Sequence, residues 1–453
     1  FIFIIFPPII DSMISTLYFN GVDFMSYYLF DSPQGLLESY LTFFGDKPRD
    51  GITYGTRAMI AVALASLGLL TYINTKKISR SLLIIFVAYT IFFLLSALPS
   101  LITYAVHDNH LSSNAINVAS TIASPTKILG NQITNPISSI NIKMSFVYML
   151  LGIFITFFMF LKLYKMTFVR LVLNTRLIQT SYHIGLLIIG ISLSTLFADA
   201  ILFPSFFSVV AFFLLCFAVV FAWYSTVVFN DLFDKKIDSL SNPNRPLPKN
   251  LLSEKTYKQI GISLAILSII IVLAVSPYAI FPLLAYHAIS FLYNTPPIQL
   301  KKFPFIATFT ASVASFSILM LGFITTSPEH SIESLPANIT FLLIISFAIS
   351  LPIKDLKDII GDKADNIYTI PVIFGEKMAR ILIATNIFTS FALSIFLLGT
   401  KNLLFPALLS GALCFWILTG RKKDGFAFTA NQSVALVFFI TAIYALILAI
   451  SLF

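Results

Sequence analysis

The sequence predicts an all-α integral membrane protein, a bundle of many transmembrane helices. Of its 453 residues, 58% are hydrophobic and only 11% are charged, and the mean hydropathy is +0.91. Soluble domains carry roughly a quarter charged residues, so this chain has too little charge to cover a soluble surface of its size. Apolar runs long enough to cross a bilayer, about 20 residues each, recur along the whole sequence.

Three of these apolar runs lie in the first third of the chain and about nine lie in the rest. The first three cover residues 56–74, 81–106 and 144–164. The later runs cover residues 181–203, 205–229, 257–275, 278–293, 304–325, 337–353, 379–398, 402–419 and 431–452. The polar segment 107–142 between the second and third runs is interpreted as an extracytoplasmic loop.

The formal net charge of +9 is distributed between the apolar runs. Clusters of Lys and Arg follow every second run, as at Lys76 and Lys77, at Arg245 and Lys249, and at Arg421 and Lys422. This alternation is typical of the positive-inside rule, so the basic side is predicted to be cytoplasmic. Basic residues on a soluble face with interleaved aromatics would favour nucleic-acid binding. The sequence has no such face, and no nucleic-acid partner is expected.

Cysteine and histidine offer little chemistry here. The two cysteines, Cys216 and Cys414, each lie inside an apolar run, so we expect neither a disulfide framework nor a thiolate metal site. The five histidines are scattered without metal-ligand spacing. The opening segment FIFIIFPPII is too short to span a bilayer and is left unassigned.

The first acidic segment, FNDLFDKKIDSLSNPNRPLPKN, covers residues 229–250 and directly follows an apolar run. Asp231, Asp234 and Asp238 are spaced i, i+3 and i+7, so a continuing helix places all three on one face, with Asn230 one turn before Asp234. Carboxylates packed in this way repel one another unless hard cations bind between them. Mg²⁺ bridged to a phosphate ligand is the usual case.

A second acidic segment, PIKDLKDIIGDKADN, covers residues 352–366 on the same predicted side of the membrane. Asp355, Asp358 and Asp362 repeat the i, i+3, i+7 spacing, and Asp365 follows. Chance acids that only solvate a surface would be dispersed, whereas seven aspartates occupy these two segments. Two aspartate sets facing each other across a helix bundle predict a site for a diphosphate with two or more Mg²⁺ ions.

Basic residues near these acids suit the same ligand. Arg245 lies in NPNRPLP, where prolines restrain the loop and a guanidinium can chelate phosphate oxygens. Lys301 follows YNTPPIQL in a third loop on the same side, and Lys354 begins the second acidic segment.

The two acidic motifs resemble those of the UbiA superfamily of intramembrane prenyltransferases, over roughly residues 175–453. Asn230, Asp231, Asp234 and Asp238 match the first motif, NDxxDxxxD, and KDLKDIIGDKADN is similar to the second. YNTPPIQLK resembles the stretch whose tyrosine and lysine flank the diphosphate, which implies a role for Tyr293. The spacing of three between Asp355 and Asp358 departs from the usual four.

The resemblance implies a nine-helix core preceded by about three additional helices. We therefore expect a membrane region of unknown role at residues 1–170, with a protein partner as one possibility for it, and a UbiA-like domain at residues 171–453. The implied catalytic residues are Asn230, Asp231, Asp234, Asp238, Asp355, Asp358 and Asp362. The implied Mg²⁺ ligands are Asp231, Asp234, Asp238, Asp358 and Asp362, and the implied diphosphate-binding residues are Arg245, Lys301, Tyr293 and Lys354.

The implied reaction is Mg²⁺-dependent transfer of a prenyl group from a prenyl diphosphate to a lipophilic acceptor in the bilayer. The acceptor is left open between a geranylgeranylglyceryl phosphate-like lipid, a chlorophyllide-like molecule and a quinone-precursor ring. A transporter or channel is the alternative, because intramembrane acids can line an ion path. That alternative expects single acids inside apolar runs, and Asp199 is the one candidate.

Overall fold

The computed structural model describes residues 30, 32–45, 54–106, 122, 124–235, 238–239, 243–364, 367–399, 401–422 and 425–452. It confirms the all-α membrane bundle. Within these residues, 11 helices are long and apolar enough to cross a membrane. The protein is therefore a multi-pass membrane protein, while Asp365 and parts of the 107–142 segment lie outside the described residues.

Up to Leu163, the residues that the structure describes form five helices and one small sheet, which consists of strands β1 and β2. The elements are α1 (Pro33–Leu41), α2 (Tyr54–Thr75), α3 (Ile78–Ser96), α4 (Leu98–Val106), β1 (Thr126–Ile128), β2 (Asn131–Ile133) and α5 (Pro136–Leu163).

From Lys165 onward, the described part of the chain forms eleven helices, four short 3₁₀ turns and a second two-stranded sheet. Its helices are α6 (Lys165–Leu173), α7 (Leu177–Phe197), α8 (Phe206–Phe233), α9 (Glu254–Val275), α10 (Ile280–Asn294), α11 (Pro304–Thr326), α12 (Ala337–Ser350), α13 (Ile359–Ala364), α14 (Ile370–Leu398), α15 (Leu404–Thr419) and α16 (Ala430–Leu452). The 3₁₀ turns are Pro277–Ala279, Leu300–Lys302, Leu351–Lys357 and Lys401–Leu403, and the strands are β3 (Arg421–Lys422) and β4 (Gly425–Phe426).

The predicted run 81–106 is divided into α3 and α4 at Ala97. Pro99 lacks a backbone N–H and its ring would clash with the carbonyl of Leu95, four residues earlier. The Tyr148 hydroxyl donates to that carbonyl at 2.5 Å. The break in the helix is therefore a proline effect, and Tyr148 satisfies the carbonyl that the proline leaves without a donor.

One other predicted boundary was wrong. The third helix, predicted from residue 144, begins at Pro136, because Asn135 Oδ1 caps it by accepting from the backbone N–H groups of Ile137 (2.9 Å) and Ser138 (3.2 Å). The end of the predicted 107–142 loop is therefore helical. The predicted run 278–293 forms α10, which has 15 residues and follows a 3₁₀ turn, so it is shorter than the spans counted above.

The chain forms two compact units. One comprises residues 1–128, 132–156 and 205–211, and the other comprises residues 129–131, 157–204 and 212–453. In the first unit Phe30, Phe44, Ile60, Phe93 and Ala97 form one buried cluster. The predicted domain boundary near residue 170 stays a prediction.

Helices α7 and α11 pack especially closely within the second unit. A Cβ placed on Gly190 would lie 1.9 Å from the Leu319 carbonyl oxygen, and one on Gly322 would lie 2.4 Å from the Leu187 carbonyl oxygen. The two backbones approach each other because both contact positions lack a side chain. This crossing fixes α7 against α11, and these helices carry or follow several residues of the site described next.

Candidate active site

The first acidic segment extends the helical hydrogen bonding of α8. The Asp234 N–H donates to the Asn230 carbonyl at 2.9 Å, and the Asp238 N–H donates to the Asp234 carbonyl at 2.8 Å. These two bonds, each spanning four residues, explain how the spacing predicted from the sequence brings Asn230, Asp234 and Asp238 to one face. These three side chains line a single cavity.

Asp231 has a different environment from the other acids of its segment. It is 1% exposed, and it is not among the described residues that line the cavity. Its Oδ1 accepts from Arg176 Nη2 at 2.8 Å and from Arg245 Nη1 at 3.2 Å. Its Oδ2 accepts from Asn174 Nδ2 at 2.8 Å and from the Tyr257 hydroxyl at 3.0 Å. Both carboxylate oxygens are thus occupied by protein donors.

The second acidic segment begins as a 3₁₀ turn. The Asp358 N–H donates to the Asp355 carbonyl at 3.1 Å, and α-helical bonding follows, with the Asp362 N–H donating to the Asp358 carbonyl at 2.9 Å. In a 3₁₀ turn, residues i and i+3 eclipse one another, so the spacing of three between Asp355 and Asp358 still aligns them. All three aspartates line the same cavity as Asp234.

Three of the predicted basic residues bind acids or a tyrosine at this cavity. Lys301 Nζ donates to Asp234 Oδ1 at 2.5 Å, although the lysine is only 7% exposed. Arg245 donates to both Asp231 and Asp238. Lys354 Nζ donates to the Tyr293 hydroxyl at 3.1 Å. The structure therefore brings together ten of the eleven predicted site residues around one cavity, the exception being Asp231.

The cavity has a volume of about 800 Å³, which is large for a small-molecule site in proteins. Its walls come from helices α7, α8, α10, α11, α12, α14 and α16. Charged residues collect at one end of these helices, and the remaining walls are mostly aliphatic and aromatic. The arrangement suits a ligand with an anionic head and a long apolar tail.

The charges at the mouth of the cavity are almost balanced. Five aspartates and five basic residues line it, and Asp231 lies behind them; the basic residues are Arg176, Arg245, Lys301, Lys354 and Lys357. One negative charge is therefore in excess. Two divalent cations and one diphosphate trianion would together add a single positive charge, so this combination of ligands would leave the site neutral.

Burial and mutual repulsion perturb the acids that lie outside the membrane spans. Burial, aided by the carboxylates of Asp355 and Asp358, raises the pKa of Asp362 to about 7, although Thr369 donates to it at 3.2 Å. Burial also raises the pKa of Asp238, and the nearby Arg245 guanidinium opposes that shift. Burial alone would lower the pKa of Arg245, but Asp231 and Asp238 raise it overall.

Three polar residues of the site were missed in the sequence. Asn174 and Arg176 precede α7, where Arg176 looked like one more positive-inside charge, and Tyr257 lies within an apolar run. Arg176 lines the cavity, and its buried Nε has no hydrogen-bond partner among the described residues. The one signal in the sequence was the position of Arg176, a basic residue directly before α7.

The fold and this cavity define a multi-pass membrane protein with an acidic and basic cluster at the mouth of an apolar chamber. The profile of the UbiA prenyltransferase family matches residues 191–443, which is more than half of the chain. The chain therefore belongs to the UbiA prenyltransferase family.

Several characterised proteins are similar to this chain. The digeranylgeranylglyceryl phosphate synthase of Thermococcus sibiricus is 31% identical over 188 residues, which is 40% of this chain and 62% of that protein. The enzyme of the same name from Pyrococcus furiosus is 33% identical over 156 residues, 34% of this chain and 53% of that protein. The chloroplastic chlorophyll synthase of Arabidopsis thaliana is 28% identical over 166 residues, 34% of this chain and 41% of that protein. The match to this chain thus spans less than two thirds of each relative.

Among solved structures, a UbiA homologue from Archaeoglobus fulgidus bound to DMAPP and Mg2+ aligns with a TM-score of 0.47 and 16% identity. The alignment covers 61% of this chain and 99% of that one.

Proposed function

We propose that this protein transfers a prenyl group from a prenyl diphosphate to a lipophilic acceptor within the membrane. The observation that carries this proposal is the position of two aspartate sets and several basic side chains at the mouth of one largely apolar cavity. Membership in the UbiA prenyltransferase family supports it independently. The diphosphate group of such a donor would bind in the charged part of this cavity, and its prenyl chain would lie in the apolar part.

The basic residues would bind the diphosphate. Arg245 can present its remaining guanidinium N–H groups to phosphate oxygens. Arg176 also lines the cavity, and its Nε has no hydrogen-bond partner among the residues that the structure describes. Lys301 and Lys354 would approach from the other side and stabilise the charge that develops on the leaving group. Tyr293 holds Lys354 through the hydrogen bond from Nζ.

The acids fit Mg²⁺ by the chemistry of their donors, since hard cations prefer carboxylate and amide oxygens. In the part of the chain that the structure describes, no three His, Cys, Asp or Glu side chains converge as a complete metal cage. Mg²⁺ usually takes only one or two protein carboxylates and completes its shell with water and substrate phosphate. Asn230, Asp234, Asp238, Asp355, Asp358 and Asp362 would hold it, and bound Mg²⁺ would neutralise the diphosphate and favour its departure.

Asp231 would act through its neighbours rather than as a direct metal ligand. Its two oxygens already accept four hydrogen bonds, two of them from guanidinium groups. We assign it the role of orienting Arg176 and Arg245 toward the diphosphate. This replaces the role expected from the sequence, because a sequence motif does not show which oxygens are already paired.

The acceptor is proposed from the relatives. Two of the proteins described above are named digeranylgeranylglyceryl phosphate synthases and a third is a chlorophyll synthase. A geranylgeranylglyceryl phosphate-like lipid is therefore the first acceptor to test, followed by a chlorophyllide-like molecule and a quinone-precursor ring.

The transporter alternative loses its one candidate residue. Asp199 lies beyond the end of α7 at Phe197 and is exposed. It is therefore not an acid inside a membrane span, whereas five aspartates of the two acidic segments line one cavity.

The two acidic segments are proposed to face the cytoplasm, because Lys and Arg clusters adjoin both. Single cysteines replacing the exposed residues Ser239 and Lys363, in a chain without Cys216 and Cys414, would test this. A membrane-impermeant thiol reagent should label both only after the cells are permeabilised. Labelling of intact cells would reverse the orientation.

The role of residues 1–170 is proposed to be docking of a protein partner or delivery of the acceptor. No acidic cluster of the kind described above occurs in that part of the sequence. Its helices would then affect localisation or supply rather than the chemical step.

The proposed activity is tested with the purified protein, labelled geranylgeranyl diphosphate and the three acceptor classes. Product should form with Mg²⁺ and disappear with a chelator. Asp234→Asn should abolish it, whereas Asp199→Asn, a matched change of an exposed acid away from the cavity, should retain it. Failure of the wild-type protein to cleave prenyl diphosphate with any acceptor would overturn the proposed function.

A further inference from the structure

A group of polar side chains lies deeper in the cavity, beneath the charged mouth. His183 is 7% exposed and Tyr286 is 2% exposed, and both line the cavity. The His183 ring stacks on Trp223 with centroids 4.3 Å apart. Tyr182, the neighbour of His183 on α7, also lines the cavity and donates its hydroxyl to Ser315 Oγ at 2.9 Å. We call these five residues the polar belt.

The belt lies at one level of the bundle. An α-helix rises about 1.5 Å per residue, so residues seven apart are separated by about 10 Å and share a face. Three helices place a belt residue seven positions from a residue of the mouth: His183 from Arg176, Trp223 from Asn230, and Tyr286 from Tyr293. A diphosphate bound at the mouth would therefore place the carbon bonded to it in the space between mouth and belt.

The hydrogen bonds of His183 define its chemistry. Its Nδ1 lies 2.7 Å from the Gln179 carbonyl, which can only accept, so Nδ1 carries the proton. Its Nε2 then carries a lone pair, and the Tyr286 hydroxyl donates to it across 3.3 Å. A neutral histidine in a cavity can act as a general base. A ligand hydroxyl that replaced the Tyr286 hydroxyl at Nε2 could therefore transfer its proton to His183.

We propose that the polar belt binds the nucleophilic end of the acceptor, that this nucleophile is a hydroxyl, and that His183 accepts its proton. The proposal rests on the proposed prenyl transfer. A carboxylate acceptor would have no proton to lose and would require a cationic partner, and no belt residue is cationic. Tyr182, Tyr286 and Ser315 supply hydroxyl groups that can donate to and accept from an alcohol.

The proposed step forms an ether and moves one proton. The bond between the prenyl carbon and the diphosphate oxygen breaks, and its electron pair leaves with the diphosphate. A lone pair of the acceptor hydroxyl forms the new carbon–oxygen bond, giving an ether. The hydroxyl proton passes to Nε2 of His183 and is then returned to the released diphosphate.

The test uses the full-length protein with geranylgeranyl diphosphate as donor and geranylgeranylglyceryl phosphate as acceptor. His183→Phe keeps a ring against Trp223 but removes the proton acceptor. We expect kcat to fall about 100-fold, in the range of general-base contributions, with donor affinity unchanged. The low-pH limb of the wild-type kcat profile should be lost. Tyr182, Tyr286 and Lys354 are the titratable or charged groups that face His183 among the described residues, so Tyr286→Phe is measured as well and should retain that limb.

His287→Phe is the matched control. His287 follows Tyr286 on α10, bonds Ser268 across 3.0 Å and is not among the described residues lining the cavity. The His287→Phe variant should retain the wild-type kcat and pH profile.

A thiol analogue of the acceptor loses its proton more readily than the alcohol. With this analogue, the loss of kcat in His183→Phe should be about tenfold smaller.

The two proposals fail in different ways. If the wild-type protein cleaves no prenyl diphosphate, the proposed function is wrong. If it transfers prenyl groups but His183→Phe binds donor and retains kcat within about threefold, His183 is a packing residue and this inference is overturned. Transfer only to carboxylate or ring-carbon acceptors would also overturn it, while leaving the proposed function intact.

Discussion

Substitution of Gly190 should separate the two helices that support the site. A Cβ at this position would meet the Leu319 carbonyl oxygen at 1.9 Å and the Phe323 nitrogen at 3.0 Å. These are backbone atoms, which cannot rotate away as a side chain would. Ordinary Cβ contacts begin near 3.4 Å, so Gly190→Ala requires α11 to retreat by about 1.5 Å, the difference between those two distances.

The energetic effect follows from this displacement. Forcing one methyl group into a well-packed core costs roughly 1–3 kcal/mol of folding free energy. Because the methyl group of Gly190→Ala meets the backbone of α11, which cannot rotate away, we expect a loss of about 3 kcal/mol. The Ser194–Thr326 hydrogen bond, 2.5 Å long and on the same two helices, would lengthen as well. We also expect prenyl transfer to fall, because α7 carries His183 and α11 follows directly on Lys301.

Gly185→Ala on the same helix provides the control, since nothing lies within 4 Å of its added Cβ. Alanine has the better helix propensity by about 1 kcal/mol, so this variant should be as stable as wild type or slightly more stable. The assay is the fraction of each detergent-purified variant that remains monodisperse after heating, followed by transfer activity.

The order of stability is the decisive result. Gly190→Ala should be less stable than wild type and Gly185→Ala should not be. Gly322→Ala should behave like Gly190→Ala, and the double variant should lose less than the sum of the two, because helices already separated accommodate a second methyl. Equal stability of Gly190→Ala and Gly185→Ala would refute the close crossing of α7 and α11.

Three further predictions concern the site and the domain boundary. Asp231→Ala should reduce both activity and stability, the latter by about 3 kcal/mol because Arg176 loses its acidic partner and Arg245 keeps only Asp238. Asp358→Ala should abolish transfer with little loss of stability, and equal stability of the two variants in thermal unfolding would contradict the role given to Asp231. Burial raises the pKa of Asp362 to about 7, and a protonated carboxyl group would not bind Mg²⁺, so the half-saturating Mg²⁺ concentration should rise as pH is lowered from about 8 to about 6. This rise should be smaller in Asp362→Asn; an equal rise in both would assign it to other groups. A chain beginning at Lys165 should insert and retain turnover at saturating substrate in detergent, whereas a monodisperse but inactive product would extend the catalytic unit into residues 1–170.

The sequence alone was sufficient to predict the membrane bundle and to select residues that the structure places around one cavity. A chain with 11% charged residues has no stable alternative to lipid as its main solvent, so its long apolar runs must form helices that satisfy their own backbone hydrogen bonds. Asp234, Asp238 and Asp358 were correctly expected to face one cavity, because helical bonding in these segments is local and preserves the period that the spacing follows.

One local signal in the sequence was overlooked, and one feature of the site was not local. The break at Ala97 could have been expected from Pro99, because proline acts on the residue four positions earlier wherever the helix lies. The alignment of Asp355 with Asp358 required the 3₁₀ turn, which depends on how the segment packs at the end of α12.

Only the tertiary structure decided the environments of Asp231 and His183. Asp231 and Asp234 belong to one motif, yet Asn174, Arg176 and Tyr257, which are distant in the sequence, surround only the first of them. His183 looked like an isolated histidine in an apolar run until α8 and α10 placed Trp223 and Tyr286 against it. Hydrogen-bond partners and burial depend on which helices meet, and that information is not contained in the period of any single segment.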